Sequence, residues 1–332
     1  MRHASKAASR SFVIALVTFV MAALLLAACG GNGQKDQGAD NAGTSSTTNA
    51  SQAPTAAKPA ADRTLTDAAG HSVTIPANPK RIIAPFLEDG LTTIGVKPVA
   101  QWSANGTPQQ YLQSKLTGVP PLNMMGGLKP EEALSYNPDL IILLAPTYLS
   151  AGKYEDFAKI APTYILSTDE NDWRGNLTKL GQVLGKTAET EKALKDYDAK
   201  VASAKTSIKA KVGDKTAVLY QSAAEKGFKL FGAKFYSGAL LYDGVGFKQP
   251  KVLKGDYETY SLEALAELVD VDYIFVLSGP GRPTPPVDSP LWKSLPAVQK
   301  GNVFHVDSGH WFNQNVMANQ LILDDIVKNV VK

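Results

Sequence analysis

The sequence predicts an α/β fold: two Rossmann-like three-layer lobes joined by one long rigid helix, with a ligand cleft between them. Three observations carry this reading. Buried-strand phrases alternate with helical ones from Arg81 to Ser167. A stretch from Ala188 to Lys211 then keeps apolar or small residues at helical spacing, with no proline and no internal glycine. The alternation restarts at Thr216 and closes on a terminal helix.

The elements follow in order. LTDAAGHSVTIP has two short extended runs about Ala69-Gly70 and predicts a hairpin. Asn78-Pro79 leads into a strand at RIIAPF, and the acids Glu88 and Asp89 precede a short helix at LTTIG. VKPVAQ, DLIILLAP and TYILS read as buried strands, with YEDFAKI as a helix between the last two. Asp172 to Leu184 is helical, and Gly185 marks its boundary with the long helix. Twenty-four residues at 1.5 Å each give the latter roughly 36 Å, enough to cross from lobe to lobe. The second half reads as TAVLYQ, GFKLFG, a short helix around Tyr236 to Tyr242, TYSLEALAEL, VDYIFVLSG, GNVFHVD and a helix from about Phe312 to Val331.

The 332 residues hold one cysteine, so neither an intrachain disulfide nor a thiolate cluster is available. Arg2, Lys6 and Arg10 precede an apolar run from Phe12 to Ala28, the pattern of an export signal, with a signal anchor as the alternative. Leu26-Ala27-Ala28-Cys29 resembles a lipobox, which implies diacylation of Cys29 and stable two-chain anchoring. Without that signal the basic and acidic residues balance at 31 each, and a nucleic-acid partner loses its compositional support. Gly30 to Asp62 has almost no large apolar side chain and reads as a disordered tether with a reach of about 30 Å. The expected organisation is a signal peptide at 1–28, an anchored cysteine and tether at 29–63, an N-terminal lobe at 64–187, a linker helix at 188–211 and a C-terminal lobe at 212–332.

Enzyme motifs are weak. No G-x-S-x-G occurs, and Ser308 and His310 lie too close in one loop to make a triad. His305 and His310, with Asp307 between them, invite a metal site but lack a completing donor set. Tyr111, Tyr148 and Met124 are available as axial haem ligands, with no spacing to support that role.

The phrases IPANPKRII, EDGLTTIGVKPV, LKPEEALSYNPDLIIL, YEDFAKIAPTYIL, WRGNLTKLGQVLGKTAETEKALKDYDAKV, YSLEALAELVDVDYIFVL and SPLWKSLPAVQKGNVFHVD, in this order, are similar to the iron-siderophore substrate-binding lipoproteins of ABC importers. That helical-backbone class also holds vitamin B12 and haem binders. The resemblance implies a non-catalytic, monomeric receptor, lipid-anchored on the extracytoplasmic side of the cell membrane. It would have no catalytic cofactor, would capture a ferric siderophore, and would pass it to a permease dimer with its ATPase. A haem or cobalamin binder of the same fold is the alternative. The resemblance further implies one docking glutamate per lobe, matched here by Glu88 and Glu263. A carboxylate in a first helical turn is also favoured by the helix itself, so helix capping is the competing role for both.

Ligand candidates are loop aromatics: Trp102, Tyr111, Tyr148, Tyr236, Tyr242 and Trp311, each with ordinary packing as the competing role. Trp311, Phe312 and Asn315 resemble the aromatic and polar loop that closes on the siderophore, and Arg282 is the expected cation from the second lobe. Trp173 is expected to pack, with Arg174 outward. Many relatives place an arginine after the first strand of the second lobe. Gln221 and Ser222 stand there instead, which favours a neutral hydroxamate over a tris-catecholate.

Overall fold

The computed structural model describes residues 61–331. The signal segment, Cys29 and nearly all of the tether lie outside them. Among the described residues no helix is long and apolar enough to cross a membrane.

The first lobe opens with the expected hairpin, β1 (Arg63–Thr66) against β2 (Ser72–Ile75), antiparallel from Arg63↔Ile75 to Thr66↔Ser72. Asp67 holds its turn by accepting from the backbone N–H groups of Ala69 and His71 at 2.9 and 2.8 Å. Gly70 takes the left-handed position there at φ +92°. Then follow β3 (Ile82–Ile83), α1 (Glu88–Thr93), β4 (Gln101–Ala104), β5 (Thr107–Pro108), α2 (Gln113–Leu116), β6 (Pro121–Asn123), α3 (Pro130–Ser135), β7 (Leu140–Leu143), α4 (Tyr154–Ala158), β8 (Thr163–Ile165) and α5 (Trp173–Leu184). Strands β3, β7 and β8 form a parallel ladder, β4 pairs parallel with β6, and a bridge between Ile83 and Ala100 joins the two ladders. All four residues of β7 are buried, as an apolar LIIL run in a sheet covered on both faces requires.

Helix α5 starts where the Asp172 carboxylate accepts from Gly175 N, and ends at Gly185, which adopts φ +67°. Helix α6 (Thr187–Val212) follows at once, one residue longer at each end than its sequence pattern. Its 26 residues span about 39 Å.

The second lobe holds β9 (Ala217–Ser222), β10 (Phe228–Phe231), β11 (Tyr257–Tyr260), β12 (Tyr273–Ser278), α7 (Pro290–Ser294), α8 (Pro296–Gln299), β13 (Val303–Asp307), α9 (Ser308–Trp311) and α10 (Val316–Val330). Its sheet has the order β11-β10-β9-β12-β13 and is mixed. β9, β12 and β13 are parallel, but β10 runs antiparallel to both β9 and β11. The reason is the connection: five residues between Ser222 and Phe228 close a tight turn, whereas a parallel crossover needs a dozen or more. Two expected helices also change. The one around Tyr236 becomes a π-helical turn at Leu240–Gly244, and the terminal helix starts at Val316 rather than at about Phe312, because Asn315 caps it with an extended backbone and its side-chain carbonyl; the turn α9 before it is separate.

Among the described residues the core has three large parts and a small one around Leu112, Leu116 and Val119. One apolar cluster covers the outer face of each sheet, around Ile141, Leu143 and Phe157 in the first lobe and around Tyr220, Leu265 and Trp292 in the second. The third is shared. It runs from Leu91 and Ile142 through Tyr197 and Ile208 of α6 and Ile322 and Ile326 of α10 to Leu219 and Phe275. Helix α10 therefore belongs to both lobes, packing on α6 and on α1.

Candidate ligand site

A buried carboxylate stitches the lobes together. Asp89, at the start of α1, accepts from the backbone N–H groups of Met317 (3.0 Å) and Ala318 (2.9 Å) in the first turn of α10. The Tyr111 hydroxyl donates to the same carboxylate at 3.1 Å. Burial raises the pKa of Asp89, against these hydrogen bonds, which favour its charged form. Nearby, Gln109 Nε2 donates to Asn313 Oδ1 at 3.0 Å, a second polar tie across the seam.

Two aromatic sets adjoin these ties in the chain. On the first lobe, Phe86 follows β3, Trp102 lies in β4, and Tyr148 sits in a single 3₁₀ turn, Pro146–Leu149, just after β7. The Phe86 ring is 4.8 Å from Trp102 and 5.5 Å, edge-on, from Tyr148. Phe86 is 37 % exposed at φ +67°, a conformation rarely taken by a bulky residue. Glu170, on the loop after β8, accepts from Thr147 Oγ1 at 2.7 Å. Burial, and after it the charge of Glu170, pushes the Tyr148 phenol far above its ordinary pKa.

On the second lobe, Phe312 packs edge-on against Tyr236 at 5.1 Å and against Phe231 at 5.7 Å. The Arg282 guanidinium lies 4.5 Å from the centre of the Phe312 ring, and its Nε donates to Ser308 Oγ at 2.6 Å. Burial lowers the Arg282 pKa, with Asp307 opposing it. Tyr257, exposed beside Phe231 and Phe235, carries the Lys229 ammonium 5.4 Å over its ring. These groups can hold a bulky, weakly charged ligand by ring faces and a few polar contacts.

The structure thus brings Trp102 and Tyr148 together on one lobe and Tyr236, Phe312 and Arg282 on the other. It turns the remaining aromatic candidates inward. Tyr111 spends its hydroxyl on Asp89 and packs with Leu112, Leu116 and Met317. Tyr242 is buried and donates to the Phe231 carbonyl. Trp311 is 0 % exposed, stacks on Phe275 at 5.2 Å and donates its indole N–H to Asp325, so it is core. Asn315 is the cap of α10, its side-chain oxygen accepting from Val316 N.

Glu88 is likewise corrected as a surface residue. It is 1 % exposed, its Oε1 accepts from Trp102 N at 2.5 Å, its Oε2 is buried without a partner, and burial raises its pKa to about 7. A permease could not reach it. Glu263 is fully exposed in the helical segment Leu262–Asp270.

Trp173 packs edge-on against Tyr197, and Arg174 covers both rings while pairing with Asp198. A cavity of about 280 Å³ opens beside them, walled also by Tyr236, Asp243, Gln314 and Asn319. It is smaller than an ordinary ligand pocket, lies next to α6 and shares Tyr236 with the second aromatic set. His305 bonds Ser278 and His310 bonds Asp325, so they do not converge. Among the described residues no group of three or more His, Cys, Asp or Glu side chains could hold a metal ion. Sequence reasoning missed Phe86, Tyr257 and Glu170. Phe86 and Tyr257 follow or lie in strands and look like ordinary strand aromatics, and Glu170 is one acid in a polar loop.

A family profile described as Periplasmic binding protein matches residues 89–309. The Iron(3+)-hydroxamate-binding protein FhuD of Bacillus subtilis (strain 168) is 31 % identical over 277 residues, covering 79 % of this chain and 84 % of that one. The probable siderophore-binding lipoprotein YfiY of the same organism is 28 % identical over 336 residues, covering 94 % and 95 %. A crystal structure of a FhuD fold-family component of a Fep/Fec-like ferrichrome ABC transporter from Bacillus subtilis superposes with a TM-score of 0.68 at 30 % identity, over 81 % of this chain and 100 % of that one. Staphylococcus aureus SirA complexed with staphyloferrin B superposes at 0.65 with 25 % identity, over 80 % and 98 %. With two α/β lobes stitched by a terminal helix and a profile match across most of the described residues, the chain belongs to the periplasmic binding protein family, whose members bind solutes and are not enzymes.

Proposed function

We propose that this protein is the solute-binding component of an ABC importer, and that it captures a ferric siderophore of hydroxamate type between its lobes for delivery to a permease dimer and its ATPase. The observation that carries the ligand class is the composition of the two sets: six rings (Phe86, Trp102, Tyr148, Tyr236, Tyr257 and Phe312), two cations, Arg282 and Lys229, and one carboxylate, Glu170, so that the net charge is small. A strongly anionic tris-catecholate complex calls for several converging cations, whereas a ferric trihydroxamate is close to neutral. At the end of the first strand of this lobe, where the family resemblance leads one to expect an arginine, Ser222 donates to the Thr284 carbonyl. One relative, FhuD of Bacillus subtilis, is named for iron(3+)-hydroxamate binding, which supports the class.

Anchoring through a diacylated Cys29 on the extracytoplasmic side, and action as a monomer, are part of the same proposal. Docking is assigned to Glu263 on the second lobe and, on the first, to the α3 turn in place of Glu88. The support is an internal repeat: Glu132-Ala133-Leu134 in α3 and Glu263-Ala264-Leu265 each precede an interior strand of a parallel ladder, β7 and β12. Glu131 beside it is exposed, while the Glu132 carboxylate accepts from Asn123 N at 2.9 Å.

The test is tryptophan quenching of the soluble domain with a ferric trihydroxamate, ferric enterobactin, haem and cobalamin. Saturable quenching by the hydroxamate at the lowest concentration is expected; tighter binding of haem or cobalamin would overturn the ligand assignment. Reversing Glu132 and Glu263 to lysine together should leave quenching intact and abolish uptake in cells. Uptake at the wild-type rate would remove the docking assignment.

A further inference from the structure

The charges of the two aromatic sets are of opposite sign. Arg282 stands on the second lobe against Phe312, and Glu170 stands on the first lobe next to the Tyr148 turn. Glu170 enters no ion pair among the described residues; its contacts are the neutral hydroxyls of Thr147 and Tyr148. Thr147 ties Glu170 to the Tyr148 turn, and Phe86 packs on both Tyr148 and Trp102, so the carboxylate and the three rings are linked by direct contacts. A carboxylate at the end of a row of ring faces suits an alkylammonium. Its charge pairs with the carboxylate and its methylene stem lies along the rings, with the Trp102 face as a further attraction for a cation. An anionic ligand would be repelled from this lobe and drawn to the other.

Resting on the hydroxamate reading above, we infer that Glu170 is a specificity-determining residue that selects ferric trihydroxamates carrying a free ammonium group, and orients that group toward the first lobe. The metal core, near neutral, then occupies the space between the ring sets. Discrimination comes from the tail, since neutral and cationic hydroxamates present the same core to Arg282. The effect should be modest and salt-dependent, because Glu170 is exposed.

The experiment uses two ligands that differ in that charge alone: ferrioxamine B, a linear ferric trihydroxamate ending in a primary ammonium, and its N-acetylated form. Dissociation constants are measured by tryptophan quenching at low salt and at 0.5 M NaCl, for the wild-type soluble domain and for Glu170→Gln. The wild type should bind the cationic ligand about fivefold more tightly at low salt, with the ratio shrinking at high salt. Glu170→Gln should bring the ratio to about one, and Glu170→Lys should invert it. Equal affinities in the wild type, or a preference that survives in Glu170→Gln, would overturn the inference while leaving hydroxamate capture standing. Failure of both ligands to quench would overturn both. Should a variant not fold, the wild-type ratio and its salt dependence still decide.

Discussion

Glu88 offers the sharpest test of the structure, since its carboxyl is sealed under Trp102 with one oxygen unpartnered. In the unfolded chain it titrates near the ordinary 4.5, and burial raises that to about 7 in the folded protein. Between these values the folded state holds a proton that the unfolded state has released, so stability falls as pH rises through this window. Ionisation of a carboxyl displaced this far costs about 3 kcal/mol, fully expressed by pH 8 and absent below pH 4.5. Glu88→Gln keeps an acceptor for the Trp102 N–H and cannot ionise. Urea unfolding followed by tryptophan fluorescence should therefore show the variant gaining on the wild type by about 2.5 kcal/mol between pH 5 and pH 8, since the pH dependence of groups that do not interact with Glu88 cancels in the difference. A difference between the two proteins that is the same at both pH values would refute the burial argument.

Three further outcomes follow from the packing. Asp89→Ala removes the acceptor of two α10 N–H groups and of the Tyr111 hydroxyl, and should lower stability by about 3 kcal/mol in urea melts. Trp102→Ala and Phe312→Ala should each weaken ferric hydroxamate binding about tenfold in quenching titrations, whereas Trp311→Ala, a core truncation, should cost about 3–5 kcal/mol in stability. Solution scattering of free and loaded protein should show a nearly constant radius of gyration, because α6 and α10 both bridge the lobes; a large compaction on loading would contradict the shared core.

How much of this was legible in the sequence depends on how local the cause is. LIIL and YIFVLS declare buried strands by their unbroken apolar runs, and the long helix declares itself by the absence of breakers between Gly185 and Gly213. The seam is different. Asp89 and Met317 are 228 positions apart, and nothing in EDGLTT tells a carboxylate that caps its own helix from one that caps a helix of the other lobe. The same limit governs the aromatic candidates. Tyr148 and Tyr236 reach the surface, while Tyr111 and Tyr242 turn their hydroxyls onto interior acceptors that sequence proximity does not reveal. Phe86 escapes notice because its exposure depends on a left-handed backbone, which no residue type in APFLED signals. Orientation of the second sheet was readable in principle, since a five-residue loop forbids a crossover.

The interior shared through α6 and α10 also decides how the molecule melts. Lobes joined by a bare linker would unfold one after the other, and a ligand touching both would protect each separately. Here an apolar cluster continues from Leu91 to Phe275, so heat or denaturant must dismantle both lobes together, in one cooperative transition. A siderophore resting on a few rings at the seam would then raise the midpoint of the whole chain, by an amount set by its concentration relative to its dissociation constant. Occupancy at the surface would be legible as the survival of the entire fold.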